Sequence, residues 1–305
     1  MVKLFRKNSA TTENPPLFFN MLTASYDRRT IMKLTGTIQL LVIDPQNDFM
    51  DEPGAALRVA GATGDMRRLA SLVSQIGKRI SNICVTLDSH QVVDVGHPSF
   101  WCDQNGNSPQ PFTMIRSSDI AKGVWLPRDT SITERMLRYA VALEQSGQYT
   151  IMVWPEHCLM GSVGHNVQPD LLRVLQSWER SNHSSVDFVT KGTNMYTEHY
   201  GALQAEVIDP ADPDTALNTG LLQSMQPADI ILVAGEASSH CVLSTVSQIV
   251  ANVDKESIKK FVLLTDCMSP VAAVPGADFP AIALSWMKDM EQLGMRLATS
   301  TSLSV

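Results

Sequence analysis

The chain has 305 residues, of which 44% are hydrophobic and 18% are charged, and its net charge is −7. No apolar stretch approaches the roughly 18 residues that a membrane-spanning helix needs, so a membrane protein is not expected. Nucleic acid is also an unexpected partner, because binding to phosphates depends on clustered lysine and arginine, which this acidic sequence lacks. The expected partner is a small molecule.

The first 35 residues differ from the rest, being basic, rich in serine and threonine, and without a long apolar core. We predict that residues 1–35 are a disordered extension. An organelle-targeting peptide is the alternative, although Glu13 and Asp27 interrupt the acid-poor pattern of such peptides. The five cysteines form no CxxC pair and follow no recognisable secretory leader, which is typical of reduced thiols and predicts a cytoplasmic protein.

Short apolar runs alternate with amphipathic segments from residue 36 onward. The runs have strand length and are apolar on both faces, as in parallel strands that are covered on both sides. Strands are predicted at 38–44, 82–88, 149–155, 186–191, 229–235 and 260–266, and helices at 64–80, 218–225 and 238–253. This alternation predicts an α/β fold of three layers (α/β/α), Rossmann-like, with a six-stranded, mainly parallel sheet. Residues 293–300 are a candidate for a further strand or edge.

The segment 91–148 interrupts this alternation. It is rich in proline, glycine, asparagine and aspartate up to about residue 130, and 132–145 then has a helical pattern. Long loops in compact domains are usually lids or binding loops. We therefore predict one domain, 36–305, with an insertion at about 91–148, of which the part 91–130 either closes over a site or builds a subunit contact.

Residues suited to chemistry follow or close several of these apolar runs. The carboxyl ends of parallel strands meet at one rim of the sheet, which is where ligands bind in open α/β folds. The residues expected at that rim are Asp44, Asp88, His90, His157 and Cys241.

A nucleophile is predicted at Cys241, just inside the start of a helix, where backbone N–H groups and the helix dipole favour a thiolate. Lys191 closes a strand, and its ammonium would lower the pKa of a neighbouring thiol. Asp44 ends the first strand and would complete the group. Each residue alone also has a structural explanation, since Asp44 can cap a turn, Cys241 can pack in the core and Lys191 can be solvated.

A carboxylate combined with imidazoles suits a divalent metal such as zinc, iron or manganese. Asp88 and His90 alternate at one strand end, so both side chains lie on one side of the chain, and His157 closes another predicted strand. His97, in the following loop, is a candidate fourth ligand. We predict a metal site with zinc as the first choice. The remaining histidines, His165, His183, His199 and His240, are assigned to structure or surface.

Over about 36–300 the chain resembles the isochorismatase-like cysteine hydrolases, and within them it is most similar to nicotinamidases. The resemblance rests on D-x-Q-N-D-F from Asp44, D-x-H from Asp88, W-P-x-H-C from Trp154, K-G from Lys191 and G-x-A-x-x-x-C from Gly235. It implies an isochorismatase-like fold and a catalytic triad of Asp44, Lys191 and Cys241. The metal ligands that it implies are Asp88, His90 and His157.

The resemblance also implies details around the nucleophile. These are a cis peptide at Glu236–Ala237 and an oxyanion hole from the backbone N–H groups of Ala237 and Cys241. Two aromatic residues, Phe49 and Trp154, match the positions that flank a pyridine ring in nicotinamidases.

The activity implied by the resemblance is hydrolysis of a small carboxamide, such as nicotinamide to nicotinate and ammonia, through a thioester on the cysteine. One alternative is another small amide, ureide or carbamoyl compound as the substrate of the same nucleophile. Another is an isochorismatase-type hydrolase, which predicts no bound metal. A homo-oligomer is expected, because relatives often form dimers or tetramers.

Overall fold

The computed structural model describes residues 31–147, 149–274 and 276–304. The strands are β1 (Met32–Lys33), β2 (Ile38–Ile43), β3 (Ile80–Asp88), β4 (Trp101–Cys102), β5 (Met114–Ile115), β6 (Leu126–Pro127), β7 (Ile151–Met152), β8 (Asp187–Lys191), β9 (Ile230–Gly235), β10 (Phe261–Leu264), β11 (Arg296–Ala298) and β12 (Leu303–Ser304). The helices are α1 (Ala62–Ile76), α2 (Ser117–Ala121), α3 (Thr133–Ser146), α4 (Pro169–Asn182), α5 (Thr219–Met225), α6 (Cys241–Asn252), α7 (Lys255–Ile258) and α8 (Phe279–Gln292).

Six strands form the central sheet in the spatial order β11-β10-β9-β2-β3-β8, and every neighbouring pair is parallel. Because side chains alternate between the faces of a strand, each strand contributes to two cores. Leu40 and Val42 of β2 belong to the core that contains α1 and α4. Leu41 and Ile43 belong to the opposite core, with α5, α6 and α8. Helices therefore cover both faces, which confirms the predicted three-layer α/β/α fold with a six-stranded parallel sheet.

The prediction for one strand of the central sheet, 149–155, is wrong. Its extended part, β7, pairs antiparallel with β5 of the insertion, and the backbone N–H of Val153 continues this pairing by donating to the Thr113 carbonyl at 2.9 Å. The sixth strand of the central sheet is β11, from the segment 293–300. The apolar run marked a buried extended segment correctly, but such a run does not specify which strand lies beside it.

The predicted insertion, 91–148, contributes most of a hydrophobic core separate from the two main ones. Helices α2 and α3 pack against each other, and the ladders β4–β6 and β5–β7 join its loops. The buried residues of this core are Val95, Phe100, Trp101, Ile115, Ile120, Met136, Tyr139, Ala140, Leu143, Ile151 and Val153. The insertion is therefore a packed unit, and β7 leads directly from it to Trp154.

The chain segment just before the predicted domain is part of the fold. Strand β1 pairs parallel with β12, and Leu34 is buried. Residues 32–34 of the predicted extension thus belong to the folded domain, whereas 1–30 lie outside the described residues. None of the helices described has the length and apolar character that crossing a membrane requires.

Candidate active site

The parallel topology gathers the predicted residues at the carboxyl-terminal rim of the sheet. Asp44 directly follows β2, Asp88 ends β3, Lys191 ends β8, and Cys241 begins α6 after β9. All four side chains are buried. The rim position that the sequence predicts for ligand chemistry is therefore the place where these four residues meet.

Lys191 lies at the centre of this group. Its Nζ is 3.0 Å from Asp44 Oδ2 and 2.9 Å from Asp88 Oδ1. The same ammonium lies 3.6 Å from Cys241 Sγ and donates to the His199 carbonyl at 2.9 Å. Burial lowers the pKa of Lys191, but Asp44 and Asp88 outweigh that effect and hold the pKa well above its usual value. The ammonium therefore stays charged.

Asp44 is held between this ammonium and the neighbouring strand. The Thr86 hydroxyl donates to Asp44 Oδ1, and the Asp44 backbone N–H donates to the Thr86 carbonyl at 3.1 Å. Burial raises the pKa of Asp44 above its usual value, although Lys191 and the Thr86 hydroxyl act in the opposite direction. A carboxylate with a raised pKa is a better base than one in water, which suits proton transfer at a neighbouring thiol.

The Cys241 thiol behaves differently from the sequence expectation. Lys191 does act to lower its pKa, as predicted, but burial outweighs this effect, and the nearby Asp44 and Asp88 carboxylates also raise it. The pKa of Cys241 is therefore well above the usual value, and the proton stays on sulfur until a base removes it. Ligand atoms of Asp44, Asp88 and Cys241 lie within 4.8 Å of one another, so the Asp44 carboxylate is close enough to act as that base.

The backbone before Cys241 is shaped by two unusual peptide units. Gly235 has φ +124°, and a Cβ there would lie 1.9 Å from the Ile43 carbonyl oxygen, so the close approach of the chain to β2 requires glycine. The Glu236–Ala237 peptide is cis, which confirms the position implied by the resemblance. In the part of the chain that the structure describes, the amides of Ala237 and Cys241 have no acceptor. They are thus free to donate to an oxyanion.

Three predicted metal ligands come together beside this group. Ligand atoms of Asp88, His90 and His157 lie within 4.8 Å of one another, with His90 Nε2 at 3.0 Å and His157 Nε2 at 3.4 Å from Asp88 Oδ2. Among the described residues, His90 Nε2 is buried and makes no hydrogen bond of good geometry, its approach to Asp88 Oδ2 being a charge contact, while its Nδ1 lies 3.1 Å from Asp94 Oδ2. His157 Nδ1 lies 2.8 Å from the Pro155 carbonyl oxygen. An outer nitrogen held by oxygen and an inner nitrogen left free are typical of metal-binding histidines, so the residues present fit a divalent metal.

The candidate fourth ligand, His97, lies beside these three residues but does not face the same point. Its Nδ1 lies 3.0 Å from the Gln91 carbonyl oxygen, and its Nε2 lies 3.4 Å from His157 Nδ1. Burial lowers the pKa of His97 to about 4, so the imidazole is neutral. In this arrangement His97 packs against the outer side of His157.

The predicted aromatic walls lie at the same site. Phe49 and Trp154 line one narrow pocket together with Cys241 and Ala237. The Phe49 ring centre is 5.6 Å from that of His157. The pocket therefore connects the aromatic residues with Cys241 and with the Asp88 and His157 side chains.

A scan against protein-family models and a search of curated proteins found no match for this chain. Solved structures do match. A nicotinamidase/pyrazinamidase of Acinetobacter baumanii has a TM-score of 0.55 and 21% identity, covering 88% of this chain and 98% of that one. The yeast nicotinamidase has a TM-score of 0.55 and 16% identity, and the match covers 86% of this chain and 99% of the yeast protein. This chain has the nicotinamidase fold.

A third structure with this fold, an L. infantum protein solved in complex with nicotinate, has a TM-score of 0.55 and 19% identity, covering 90% of this chain and 98% of that one. At these identities the likeness is one of fold. The matched proteins are covered over almost their whole length, although this chain also contains the segment 91–148.

Several site residues of this nicotinamidase fold were missed by sequence reasoning. Gln46 holds the backbone of Asp88 from both sides, donating from Nε2 to its carbonyl and accepting its N–H at Oε1, each at 2.7 Å. Gln46 is inside the D-x-Q-N-D-F motif, so a signal was present. Glu198, Tyr200 and His240 also line the pocket, although His240 was assigned to structure or surface. Their segments offered no pattern that distinguishes a pocket wall from a core residue.

Proposed function

We propose that this protein is a metal-containing cysteine amidohydrolase that converts nicotinamide to nicotinate and ammonia. The observation that carries the proposal is the Lys191 ammonium in contact with Asp44, Asp88 and Cys241, between a nucleophile and a metal donor set. The nicotinamidase fold supports the same reaction class, because two of the matched structures are described as nicotinamidases and a third as a complex with nicotinate.

The first step is attack of Cys241 on the amide carbonyl. Asp44 accepts the thiol proton as sulfur bonds to the carbonyl carbon, and the carbonyl electron pair moves to oxygen. The amides of Ala237 and Cys241 donate to this oxyanion. Because Lys191 stays charged beside the sulfur and the carboxylate, it compensates the negative charge that moves between them.

The second step releases ammonia. The oxyanion collapses, the carbon–nitrogen bond breaks, and Asp44 returns its proton to the leaving nitrogen, which leaves a thioester on Cys241. Asp44 then takes a proton from water as the water oxygen attacks the thioester. The carbon–sulfur bond breaks, the sulfur regains a proton from Asp44, and the carboxylic acid product departs.

Asp88, His90 and His157 are the residues that would hold the divalent metal, with zinc as the first choice and iron or manganese as alternatives. When bound, such an ion supplies Lewis-acid chemistry toward water or a pyridine nitrogen. The chain's own contribution is the orientation of these ligands, through Asp94 on His90 and the Pro155 carbonyl on His157. The same donor set disfavours an isochorismatase-type reaction, which by resemblance needs no metal.

Phe49 and Trp154 suit a flat aromatic substrate. We propose that they hold a pyridine ring so that its carboxamide reaches Cys241, because all three residues line one pocket. A ureide or a carbamoyl compound on the same nucleophile remains the second candidate, and it has no need of aromatic walls.

The direct test is ammonia release from nicotinamide by the metal-replete protein and by Cys241→Ala. We expect cysteine-dependent release, with the variant reduced by at least about a thousandfold, because the variant lacks the covalent route. A panel of small amides and ureides is assayed beside nicotinamide. Release from a ureide but not from nicotinamide would contradict the proposed substrate, and release that survives Cys241→Ala would contradict the proposed nucleophile.

A further inference from the structure

A second cavity, called here the outer pocket, adjoins the active-site pocket. It lies between the segment 55–58, Phe112 with Pro155, and the segment 271–274. Leu57 and Val271 line both cavities, so the two pockets adjoin at these side chains. The active-site pocket has a volume of about 30 Å³, whereas the outer pocket has about 350 Å³. Sites for small ligands usually enclose about 300–1,000 Å³, so the outer pocket supplies the larger share of the space available to a ligand.

Two walls of the outer pocket are hydrogen-bonded to active-site segments. The Ala56 N–H donates to Asp48 Oδ1 at 3.1 Å, and the Leu57 N–H donates to the Asp48 carbonyl at 2.9 Å. On the opposite wall, the Val271 N–H donates to Ser239 Oγ at 3.0 Å. Asp48 precedes Phe49, and Ser239 lies two residues before the nucleophile. The outer pocket is therefore held in register with the reacting groups.

The insertion contributes the third wall through Phe112. The Phe112 ring centre lies 6.0 Å from that of Trp154, with the rings nearly perpendicular at 85°. Its backbone has φ +68°, which is uncommon for a bulky side chain, and its N–H donates to the Val153 carbonyl. Strained backbone of this kind concentrates at ligand clamps. Phe112 is also 43% exposed, so a ligand gains contact by covering it.

The lining of the outer pocket is apolar apart from one cation. Alanine, valine, leucine, proline and phenylalanine supply the walls, and Arg58 supplies the charge. Within the described residues Arg58 is exposed and has no acidic partner among the ion pairs. A flat apolar group would pack against these walls, and an anion at its end would form an ion pair with Arg58.

We propose that the outer pocket is a substrate subsite for a flat, apolar ring substituent that ends in a carboxylate. This inference rests on the proposed function and specifies its substrate class, namely aromatic carboxamides that are larger than nicotinamide and anionic. The amide and its ring occupy the active-site pocket, the substituent passes between Leu57 and Val271, and its carboxylate pairs with Arg58.

The test compares kcat/KM for nicotinamide with kcat/KM for nicotinamides that carry a phenyl or a carboxyphenyl group. The substituent is placed in turn on each pyridine carbon that does not bear the carboxamide. We expect at least one carboxyphenyl isomer to exceed both its phenyl counterpart and nicotinamide by about two- to fivefold, the effect of one solvent-exposed ion pair. The subsite is overturned if every substituted isomer is a poorer substrate than nicotinamide.

Matched variants assign the effect to residues. Arg58→Gln should abolish the preference for carboxyphenyl over phenyl, whereas Arg79→Gln, at another exposed arginine, should keep it. Phe112→Ala should lower kcat/KM for both substituted amides relative to nicotinamide, and Phe188→Ala, at a phenylalanine of similar exposure, should not. A carboxylate preference that survives Arg58→Gln would also overturn the proposal.

Binding separates failure of the subsite from failure of the proposed chemistry. Calorimetry with the Cys241→Ala protein measures affinity for the carboxyphenyl amide without turnover. Binding that depends on Arg58, in a protein that hydrolyses no amide, would uphold the subsite and contradict the proposed chemistry. Hydrolysis of nicotinamide, together with binding of the carboxyphenyl amide that does not change in Arg58→Gln, would uphold the proposed chemistry and contradict the subsite.

Discussion

Lys191 connects two buried carboxylates with the Cys241 thiol, so both the stability of this group and the proposed chemistry depend on its charge. We expect Lys191→Ala to lower the free energy of unfolding by about 3–5 kcal/mol, because it leaves Asp44 and Asp88 buried without their cation. The same variant should lose amide hydrolysis almost completely. Chemical denaturation and an ammonia assay measure the two effects, with Lys78→Ala as an exposed control. Wild-type stability of Lys191→Ala would show that the carboxylates do not depend on this charge.

Asp94 holds His90 from the outer side, and it was not recognised in the sequence. Removing an oxygen that orients a metal-bound histidine usually weakens metal affinity by about 10–100-fold. We expect that loss for Asp94→Ala, measured by competition with a chelator and by metal content. Asp214→Ala, at an exposed aspartate, is the control. Unchanged affinity in Asp94→Ala would remove Asp94 from the metal site.

Glu236 is the first residue of the cis peptide and is fully buried next to another acid. Its Oε2 accepts the Ser269 N–H at 3.2 Å, and its Oε1 has no hydrogen-bond partner in the described structure. Burial and the nearby Asp65 raise the pKa of Glu236 well above 4.5, and burial also raises the pKa of Asp65. The charged groups that face this pair are Asp51 and Arg68. A protonated Glu236 therefore fits the site, whereas its carboxylate does not.

The raised pKa of Glu236 predicts a pH dependence of stability. The folded state binds this proton more tightly than the unfolded state, so its stabilising effect is complete below pH 4.5. The effect is lost as pH rises toward the folded pKa, with a slope of up to about 1.4 kcal/mol per pH unit. Glu236→Gln keeps the shape without the proton, and we expect its free energy of unfolding to fall less than that of the wild type between pH 5 and pH 9. Denaturant titrations at each pH measure these free energies. The same decrease with pH in Glu236→Gln and in the wild type would contradict this assignment.

At the scale of elements, the insertion is connected to the pocket by a hydrogen bond that no motif marks. Tyr139 of α3 accepts the backbone N–H of Glu198 at 3.0 Å, and the Glu198 side chain lines the active-site pocket. We expect Tyr139→Phe to lower the free energy of unfolding by about 1–3 kcal/mol, because it leaves that buried N–H without an acceptor. Denaturant titration measures this, with Tyr196→Phe as the control. Equal stability of the two variants would show that the contact is not needed.

The sequence predicted elements well where a residue pattern determines local structure. Apolar runs located five of the six central strands, and the helical period located α1, α5 and α6 to within a few residues. The pattern failed at 149–155 because β7 finds its partner, β5, inside the insertion. Pairing between distant segments depends on the packing of the insertion core, and a single apolar run carries no information about that packing.

At the scale of the whole molecule, parallel topology explains why so much of the site was predictable. Once Asp44, Asp88 and Lys191 are assigned to strand ends and Cys241 to the helix start that follows a strand, a parallel sheet with helices on both faces has to bring them to one rim. The sequence could not predict the surroundings of these side chains, namely how deeply each is buried and which residues form the pocket walls. The raised pKa of Cys241 results from burial, and the walls formed by Glu198 and Tyr200 result from how the segment after β8 packs.

A thioester on Cys241 would be detected by the mass of the intact protein after brief incubation with nicotinamide and quenching in acid. We expect a species heavier by one nicotinoyl group, attached at Cys241, that disappears as nicotinate accumulates and is absent in Cys241→Ala. Hydrolysis of nicotinamide without any acylated species at the earliest times, or acylation at another residue, would contradict a thioester on Cys241.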